Sequence, residues 1–83
     1  MQITLKLFAN LSDYLPPGSR DNRIDLEAGE HESVADIIQR YALPERMVHL
    51  VLLNGVYLSP GERPARQLRA GDQLAVWPPI AGG

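Results

Sequence analysis

The sequence has 83 residues, of which 45% are hydrophobic and 22% are charged, and its formal net charge at pH 7 is −2. This length indicates one domain with a modest core, and the composition is too apolar for a disordered chain. The charge balance excludes the basic face of a nucleic-acid-binding domain. The lack of cysteine excludes disulfide frameworks and thiolate sites, and no apolar run is long enough for a membrane span. We therefore expect a cytoplasmic domain with neither nucleic acid nor membrane as partner.

The first two elements are predicted to be strands. Residues 1–9 (MQITLKLFA) alternate between apolar and polar side chains, which is typical of a strand with one buried face. Phe8 breaks the pattern, because it places an aromatic ring on the polar face. Residues 16–18 (PPG) enforce a turn, and residues 23–27 (RIDLE) alternate again. We expect this second strand to pair with the first as a hairpin at the edge of the sheet.

The one predicted helix lies within residues 32–43 (ESVADIIQRYAL). Ser33 is a typical N-cap, and Asp36 three residues later completes a capping box. Apolar side chains recur at helical spacing and form one stripe, made of Val34, Ile37, Ile38 and Tyr41. We expect Pro44 to end the helix, since the residue before a proline is disfavoured in helical conformation.

The second half of the chain is predicted to contain three more strands, joined by a turn and a long loop. The strands are residues 47–53, 56–58 and 73–77, and the loop is residues 59–72. Asn54 and Gly55 favour a tight turn, because both tolerate positive φ. In the last strand the alternation turns Leu74 and Val76 inward and Trp77 outward.

The predicted order is therefore strand, strand, helix, strand, short strand, strand. Because one helix covers only one face of a sheet, we expect an α+β fold: a mixed sheet of four to five strands with one main helix on one face. The other face is left to water or to a partner. The chain divides into a domain of residues 1–77 and an extended C-terminal tail of residues 78–83.

The side chains show no pattern typical of an active site. His31 and His49 are far apart in the sequence and have no cysteine companions, so we expect surface or half-buried histidines and no metal site. No serine lies in a nucleophile elbow, and the single glycines of the two proline-rich turns do not make a phosphate-binding loop.

Three aromatic residues form the first candidate site. Phe8 and Trp77 have outward parity, and each lies at the end of its strand. If the first and last strands are parallel neighbours, the two rings lie side by side, and Tyr57 could join them. Such rings either cover the sheet or form a protein-docking surface, where aromatic residues are favoured. Both alternatives stay open at this point.

The tail PPIAGG is the second candidate site. Pro78-Pro79 cannot donate backbone hydrogen bonds and holds the chain extended, which ends the last strand. Ile80-Ala81 is apolar, and Gly82-Gly83 has no side chains, so this tip can thread a narrow channel. At 3.3–3.6 Å per residue, the tail reaches about 20 Å. The group presented is the α-carboxylate of Gly83, an anion at pH 7 that must be activated, most simply as an acyl-adenylate.

Four blocks of this sequence resemble the MoaD/ThiS sulfur carriers, which are ubiquitin-like proteins of the β-grasp fold. In chain order the blocks are KLFANLSDYL (6–15), ESVADII (32–38), VLLNG (51–55) and LRAGDQLAVWPPIAGG (68–83). A final Gly-Gly alone is a weak signal, but four blocks in order are specific, and together they span essentially the whole chain. The tail is most similar to that of the molybdopterin branch.

The resemblance implies the chemistry of the Gly83 carboxylate. A ubiquitin-activating-type adenylyltransferase uses ATP to adenylate it, and a sulfur donor converts the adenylate to a thiocarboxylate. The carrier binds no cofactor and is a cosubstrate rather than an enzyme. In molybdopterin synthase it is the small subunit, with its tail inserted into the large catalytic subunit. Positions matching Phe8, Tyr57 and Trp77 lie there in an apolar docking surface.

The function implied first is sulfur donation in the biosynthesis of molybdopterin, the molybdenum or tungsten cofactor. Three alternatives remain. The chain could carry sulfur for thiamine or another thio-metabolite, or it could be a ubiquitin-like protein modifier joined through Gly83 to lysines of its targets. It could also be an interaction domain that uses the open sheet face and not the tail.

Overall fold

The computed structural model describes residues 1–79. In it, the segments that were predicted to be strands form a mixed five-stranded sheet. The strands are β1 (Gln2–Leu7), β2 (Arg23–Glu27), β3 (Leu50–Leu53), β4 (Val56–Tyr57) and β5 (Gln73–Trp77). One α-helix, α1 (Val34–Arg40), and two short 3-10 helices, Ala9–Tyr14 and Glu45–Met47, lie between them. The strand order is β2-β1-β5-β3-β4. The pair β1 and β5 is parallel and the other pairs are antiparallel, so the predicted mixed sheet and the β1–β2 hairpin at its edge are confirmed.

The core lies between α1 and one face of the sheet. Inward side chains of three adjacent strands are buried there with Val34 and Ile37 of α1. The strand members of this cluster are Ile3, Leu5 and Leu7 of β1, Val51 and Leu53 of β3, and Leu74 and Val76 of β5. Burying an aliphatic side chain stabilises a fold by about 1.5–3 kcal/mol, so this layer is a main source of the stability of the domain. Within residues 1–79, no helix is long and apolar enough to cross a membrane.

Helix α1 begins as predicted and ends earlier than predicted. Ser33 Oγ accepts the Asp36 N–H (3.1 Å), and the Asp36 carboxylate accepts the Ser33 N–H (2.9 Å), which completes the capping box. The expectation that Pro44 ends the helix is wrong, because α1 ends at Arg40.

A Schellman motif explains the early end of α1. Ala42 has φ of 56°, in the left-handed region, and its N–H donates to the Gln39 carbonyl (2.9 Å). The next N–H, of Leu43, donates to the Ile38 carbonyl (3.2 Å). These two bonds satisfy the last carbonyls of the helix and turn the chain away. The 3-10 helix Glu45–Met47 follows, so β3 begins at Leu50 and not at Met47 as expected.

The buried Asp72 connects two turns at one end of the sheet. Its carboxylate accepts hydrogen bonds from Asn54 Nδ2 (2.9 Å) and from the Arg69 N–H (2.8 Å). Asn54 Oδ1 in turn accepts the Gln73 N–H (2.8 Å). Asn54 and Gly55 have φ of 52° and 82°, as expected for the tight turn between β3 and β4. The turn between β3 and β4 is therefore fixed to the start of β5 by side-chain hydrogen bonds.

Replacement of Asp72 by alanine should lower the free energy of unfolding by about 2 kcal/mol, because two donors lose their acceptor in a buried place. Denaturation in urea measures the change. The matched control is Asp25→Ala, which removes one exposed acceptor of the Thr4 hydroxyl (2.7 Å) and should cost less than about 0.5 kcal/mol. Equal losses in the two variants would show that the Asp72 network does not stabilise the fold.

Candidate functional site

Phe8 and Trp77 form a ring stack on the open face of the sheet. Their centroids are 4.1 Å apart and the ring planes differ by 2°. The pairing of parallel β1 and β5 places Leu7 beside Val76, so the following residues come side by side on the opposite face. The prediction that the two rings lie side by side is therefore confirmed. Both side chains are half-buried.

Tyr57 lies on the same face but not in the stack. It is opposite Leu52 on β3, whereas Trp77 is opposite Leu50, two residues along the same strand. With strands about 4.8 Å apart and a rise of about 3.4 Å per residue, the Cα atoms of Tyr57 and Trp77 are about 12 Å apart. Tyr57 is 52% exposed and forms the far end of the same surface.

The open face has a polar half and an apolar half. On β1, β2 and the start of β5 the polar groups bond to each other: Thr4 Oγ1 donates to Asp25, and Lys6 Nζ donates to Gln73 Oε1 (3.1 Å). The apolar half, which we call the apolar strip, consists of Phe8, Leu50, Leu52, Tyr57, Ala75 and Trp77. Contiguous apolar surface of this kind is typical of interaction sites, so the strip is the candidate docking surface.

Leu50 and Leu52 were not identified from the sequence as members of this surface. They lie in an uninterrupted apolar run, in which the alternation of faces carries no hydrophobicity signal. The only available signal was the position of Asn54. This turn residue is an even number of positions from Leu50 and Leu52, so it indicates which residues of β3 point outward. Both leucines are half-buried, whereas Val51 and Leu53, which alternate with them along β3, are buried.

The sheet ends at Trp77, beside the ring stack. The Phe8 N–H donates to the Val76 carbonyl (3.1 Å), and the next bond of a parallel ladder would come from the N–H of residue 78. Pro78 has no N–H, so the ladder with β1 stops there. The last bond with β3 runs from the His49 N–H to the Trp77 carbonyl (3.0 Å). The tail therefore leaves the sheet from one end of the apolar strip.

Of the predicted tail residues, the structure describes only the first two. Pro78 is half-buried and Pro79 is exposed. Ile80-Ala81 and Gly82-Gly83 lie outside the described residues, so their roles stay predictions. His31 and His49 are both exposed, and residues 1–79 contain no group of three or more histidine, cysteine, aspartate or glutamate residues that could hold a metal ion.

Solved structures with this fold include archaeal modifier proteins and a bacterial subunit complex. SAMP1 from Haloferax volcanii has 26% sequence identity and a TM-score of 0.69, with all of both chains covered. The small archaeal modifier protein 1 from Methanosarcina acetivorans has 22% identity and a TM-score of 0.66, with 99% of this chain and 96% of that chain covered. No curated protein matches the sequence significantly.

A chain from the complex of subunits 1 and 2 of the molybdopterin-converting factor of Helicobacter pylori has 18% identity and a TM-score of 0.60, with all of both chains covered. At this identity the likeness shows the fold. A family model described as Mut7-C ubiquitin matches residues 1–81. The resemblance to ubiquitin-like carriers is thus confirmed at the level of fold. The chain belongs to the Mut7-C ubiquitin family and has the ubiquitin-like β-grasp fold.

Proposed function

We propose that the chain is a sulfur carrier whose Gly83 carboxylate is adenylated and then converted to a thiocarboxylate, which donates sulfur in molybdopterin biosynthesis. The observation that supports this most is the exit of the tail from one end of the apolar strip, beside the Phe8–Trp77 stack. A partner that covers the strip receives the start of the tail at a fixed place. The tip, Gly82-Gly83, then extends from that partner surface toward its active site.

The proposed chemistry needs no side chain of the carrier. A carboxylate oxygen of Gly83 attacks the α-phosphorus of ATP, and pyrophosphate leaves. A sulfur nucleophile supplied by the donor at the oxidation level of hydrosulfide then attacks the acyl carbon, and AMP leaves with the bonding electron pair. The product is a thiocarboxylate, which is a better nucleophile than the carboxylate. The carrier thus holds sulfur on its main chain, in agreement with a sequence that has no cysteine.

Ordering the tail costs binding free energy, and covering the apolar strip supplies part of it. Ordering an extended residue in a channel costs about 1–2 kcal/mol, and the two prolines lower this cost because they are already restricted. Burial of an aromatic or leucine side chain yields about 1.5–3 kcal/mol. Phe8, Trp77 and the two outward leucines are already half-buried, so covering them together with Tyr57 yields only part of this amount per residue and offsets part of the cost of ordering the tail.

The proposed partners follow from these steps. The first is a ubiquitin-activating-type adenylyltransferase, which uses ATP. The second is a sulfur donor, and the third is a large catalytic subunit that accepts the tail. In the Helicobacter pylori relative, subunit 1 is in complex with subunit 2. That complex supports a large-subunit partner for this chain. The carrier would bind no cofactor or metal of its own and act in the cytoplasm as a cosubstrate.

Intact-mass measurement tests the proposal. The chain is incubated with the activating enzyme, ATP and a sulfur source, and its mass should rise by the difference between sulfur and oxygen. Omission of ATP should prevent the increase. An unchanged mass with an enzyme that forms the adenylate would rule out the carrier function.

Protein modification is a second candidate, favoured by the full-length similarity to SAMP1. In this case the Gly83 carbonyl forms an isopeptide bond with a lysine of a target, and water is lost overall. Lys6 is the only lysine of the chain, and its Nζ bonds to Gln73 on the polar half of the open face. Chains built through this protein's own lysines would therefore have one possible linkage, which Lys6→Arg abolishes. Conjugates to other proteins in a cell extract, without a thiocarboxylate intermediate, would favour the modifier over the carrier.

A further inference from the structure

A groove of about 580 Å³ lies on the α1 side of the sheet, away from the apolar strip. One wall is α1, another is the turn that follows it, and the third is the loop of residues 58–64. The apolar lining is contributed by Ile38, Leu43, Val48, Pro60 and Pro64. The volume is within the range of about 300–1,000 Å³ that is usual for ligand sites.

The guanidinium of Arg63 lines this groove and lacks a full set of acceptors. Arg63 is only 8% exposed, and its Nε donates to the Leu58 carbonyl (3.3 Å). Its Nη2 is buried without a hydrogen-bond partner among residues 1–79. Neither ion pair of the described residues involves Arg63. A guanidinium is always charged, so a buried donor without a partner in the protein is costly, and an added acceptor at this place would be favourable.

The nearest acidic residues do not supply the missing acceptor. The Glu62 carboxylate accepts the Ser59 N–H (2.8 Å), and this bond lowers the pKa of Glu62, which keeps it ionised and bound within its own loop. Glu45 also lines the groove but has no hydrogen bond to Arg63 in the described part of the chain. Arg63 is therefore complementary to an anion from outside the domain.

We propose that this groove binds an extended segment of a partner protein in which an aspartate or glutamate lies beside apolar side chains. The carboxylate pairs with the Arg63 guanidinium, whose planar fork matches two carboxylate oxygens once the side chain turns its Nη2 toward the groove, because that atom is buried in the free chain. The apolar neighbours pack on Ile38, Leu43 and Val48. None of the residues that line this groove belongs to the apolar strip, so it would serve a contact that can persist while the strip is covered by a partner.

The charges of the groove favour a peptide over a small organic acid. Glu45 adds a negative charge to the lining, and it would repel a ligand that is only anionic. A peptide offers its carboxylate to Arg63 and backbone N–H groups or a basic side chain to Glu45.

The test uses the 83-residue chain labelled with nitrogen-15 and two matched pools of blocked nine-residue peptides. In the first pool a central glutamate is flanked by leucine or isoleucine, with a lysine near the end. In the second pool glutamine replaces the glutamate. The first pool should shift the Arg63 Nε–H signal and the amide signals of Ile38 and Leu43. Binding of the second pool should be weaker by at least about ten-fold, because the charge-assisted pair is lost.

Three variants separate binding from folding. Arg63→Met should lose the preference for the acidic pool, yet keep or raise the melting temperature, because an unpaired buried charge is removed. Arg63→Lys should bind with intermediate affinity, since it keeps the charge but not the fork. Arg66→Met, an exposed arginine three residues along the same segment, is the control and should bind like the parent chain.

Several results would overturn the proposal. Equal binding of the two pools, or no shift with either, would exclude a carboxylate at Arg63. A large fall in the melting temperature of Arg63→Met would show that the guanidinium is structural. Competition by hexanoate as strong as that of the peptides would assign the groove to small acids. Shifts of the same groove signals on deletion of residues 80–83 would assign it to the chain's own tail.

Discussion

Deletion of Gly82 and Gly83 should abolish sulfur loading and leave the fold unchanged. Among residues 1–79 the buried core is formed by residues that precede Pro78, so removal of the tip should change the free energy of unfolding by less than about 0.5 kcal/mol. Loading should fall to the background, because the shortened chain presents the carboxylate of Ala81 too far from the adenylation centre. Intact mass after the ATP-dependent reaction and a thermal melt provide the two readings.

The matched control for the deletion keeps the length of the tail. The double substitution of Gly82 and Gly83 by alanine preserves a carboxylate at the same reach but adds two Cβ atoms, which a narrow channel does not admit. This variant should load poorly and bind its large-subunit partner with little change. Full loading of the shortened chain would contradict a role for the tip and would favour an interaction domain that works through the open face.

Replacement of Trp77 by alanine should weaken partner binding far more than it weakens the fold. Truncation of an aromatic anchor in an interface costs about 2–4 kcal/mol of binding free energy, which corresponds to about 30- to 1,000-fold in affinity. The ring is half-buried in the free chain, so its loss should lower the free energy of unfolding by only about 1–2 kcal/mol, mainly through the stack with Phe8. Calorimetric titration with the large subunit and urea denaturation measure the two effects.

Lys6→Ala is the control for Trp77→Ala. Lys6 lies on the polar half of the same face and bonds only to Gln73 in the described part of the chain, so its loss should change the affinity by less than about three-fold. If Trp77→Ala instead lowers stability by several kcal/mol and leaves affinity unchanged, the ring stack covers the sheet and is not a docking site.

The strands with one clean polar face could be predicted almost to the residue. The bounds of β2 and β5 coincide with the alternating segments, because each strand buries one face against α1 and exposes the other. The capping box at Ser33 was also predictable, since its two hydrogen bonds connect residues three apart in the sequence. The side-by-side placement of Phe8 and Trp77 needed one further assumption, the parallel pairing of the first and last strands.

Features set by backbone conformation or distant contacts could not be predicted. The end of α1 depends on Ala42 in the left-handed region, where glycine is the usual residue and the sequence gives no warning. The burial of Arg63 depends on the packing of its loop against α1, which is distant in sequence. From the sequence alone, an arginine in a proline-rich loop would be predicted to be exposed. The outward leucines of β3 lie in a continuous apolar run, in which the sequence does not distinguish the two faces of the strand.

Sulfur on the carbonyl carbon of Gly83 can be located directly by alkylation and fragmentation. Mass alone is ambiguous, because oxidation of Met1 or Met47 adds nearly the same mass as exchange of oxygen for sulfur. The chain has no cysteine, so a thiol-selective alkylating reagent should label only a thiocarboxylate. We expect one label per loaded chain, on the fragment that contains Gly83, and none without ATP. A label elsewhere, or an ATP-dependent mass increase that resists alkylation, would contradict sulfur carriage at Gly83.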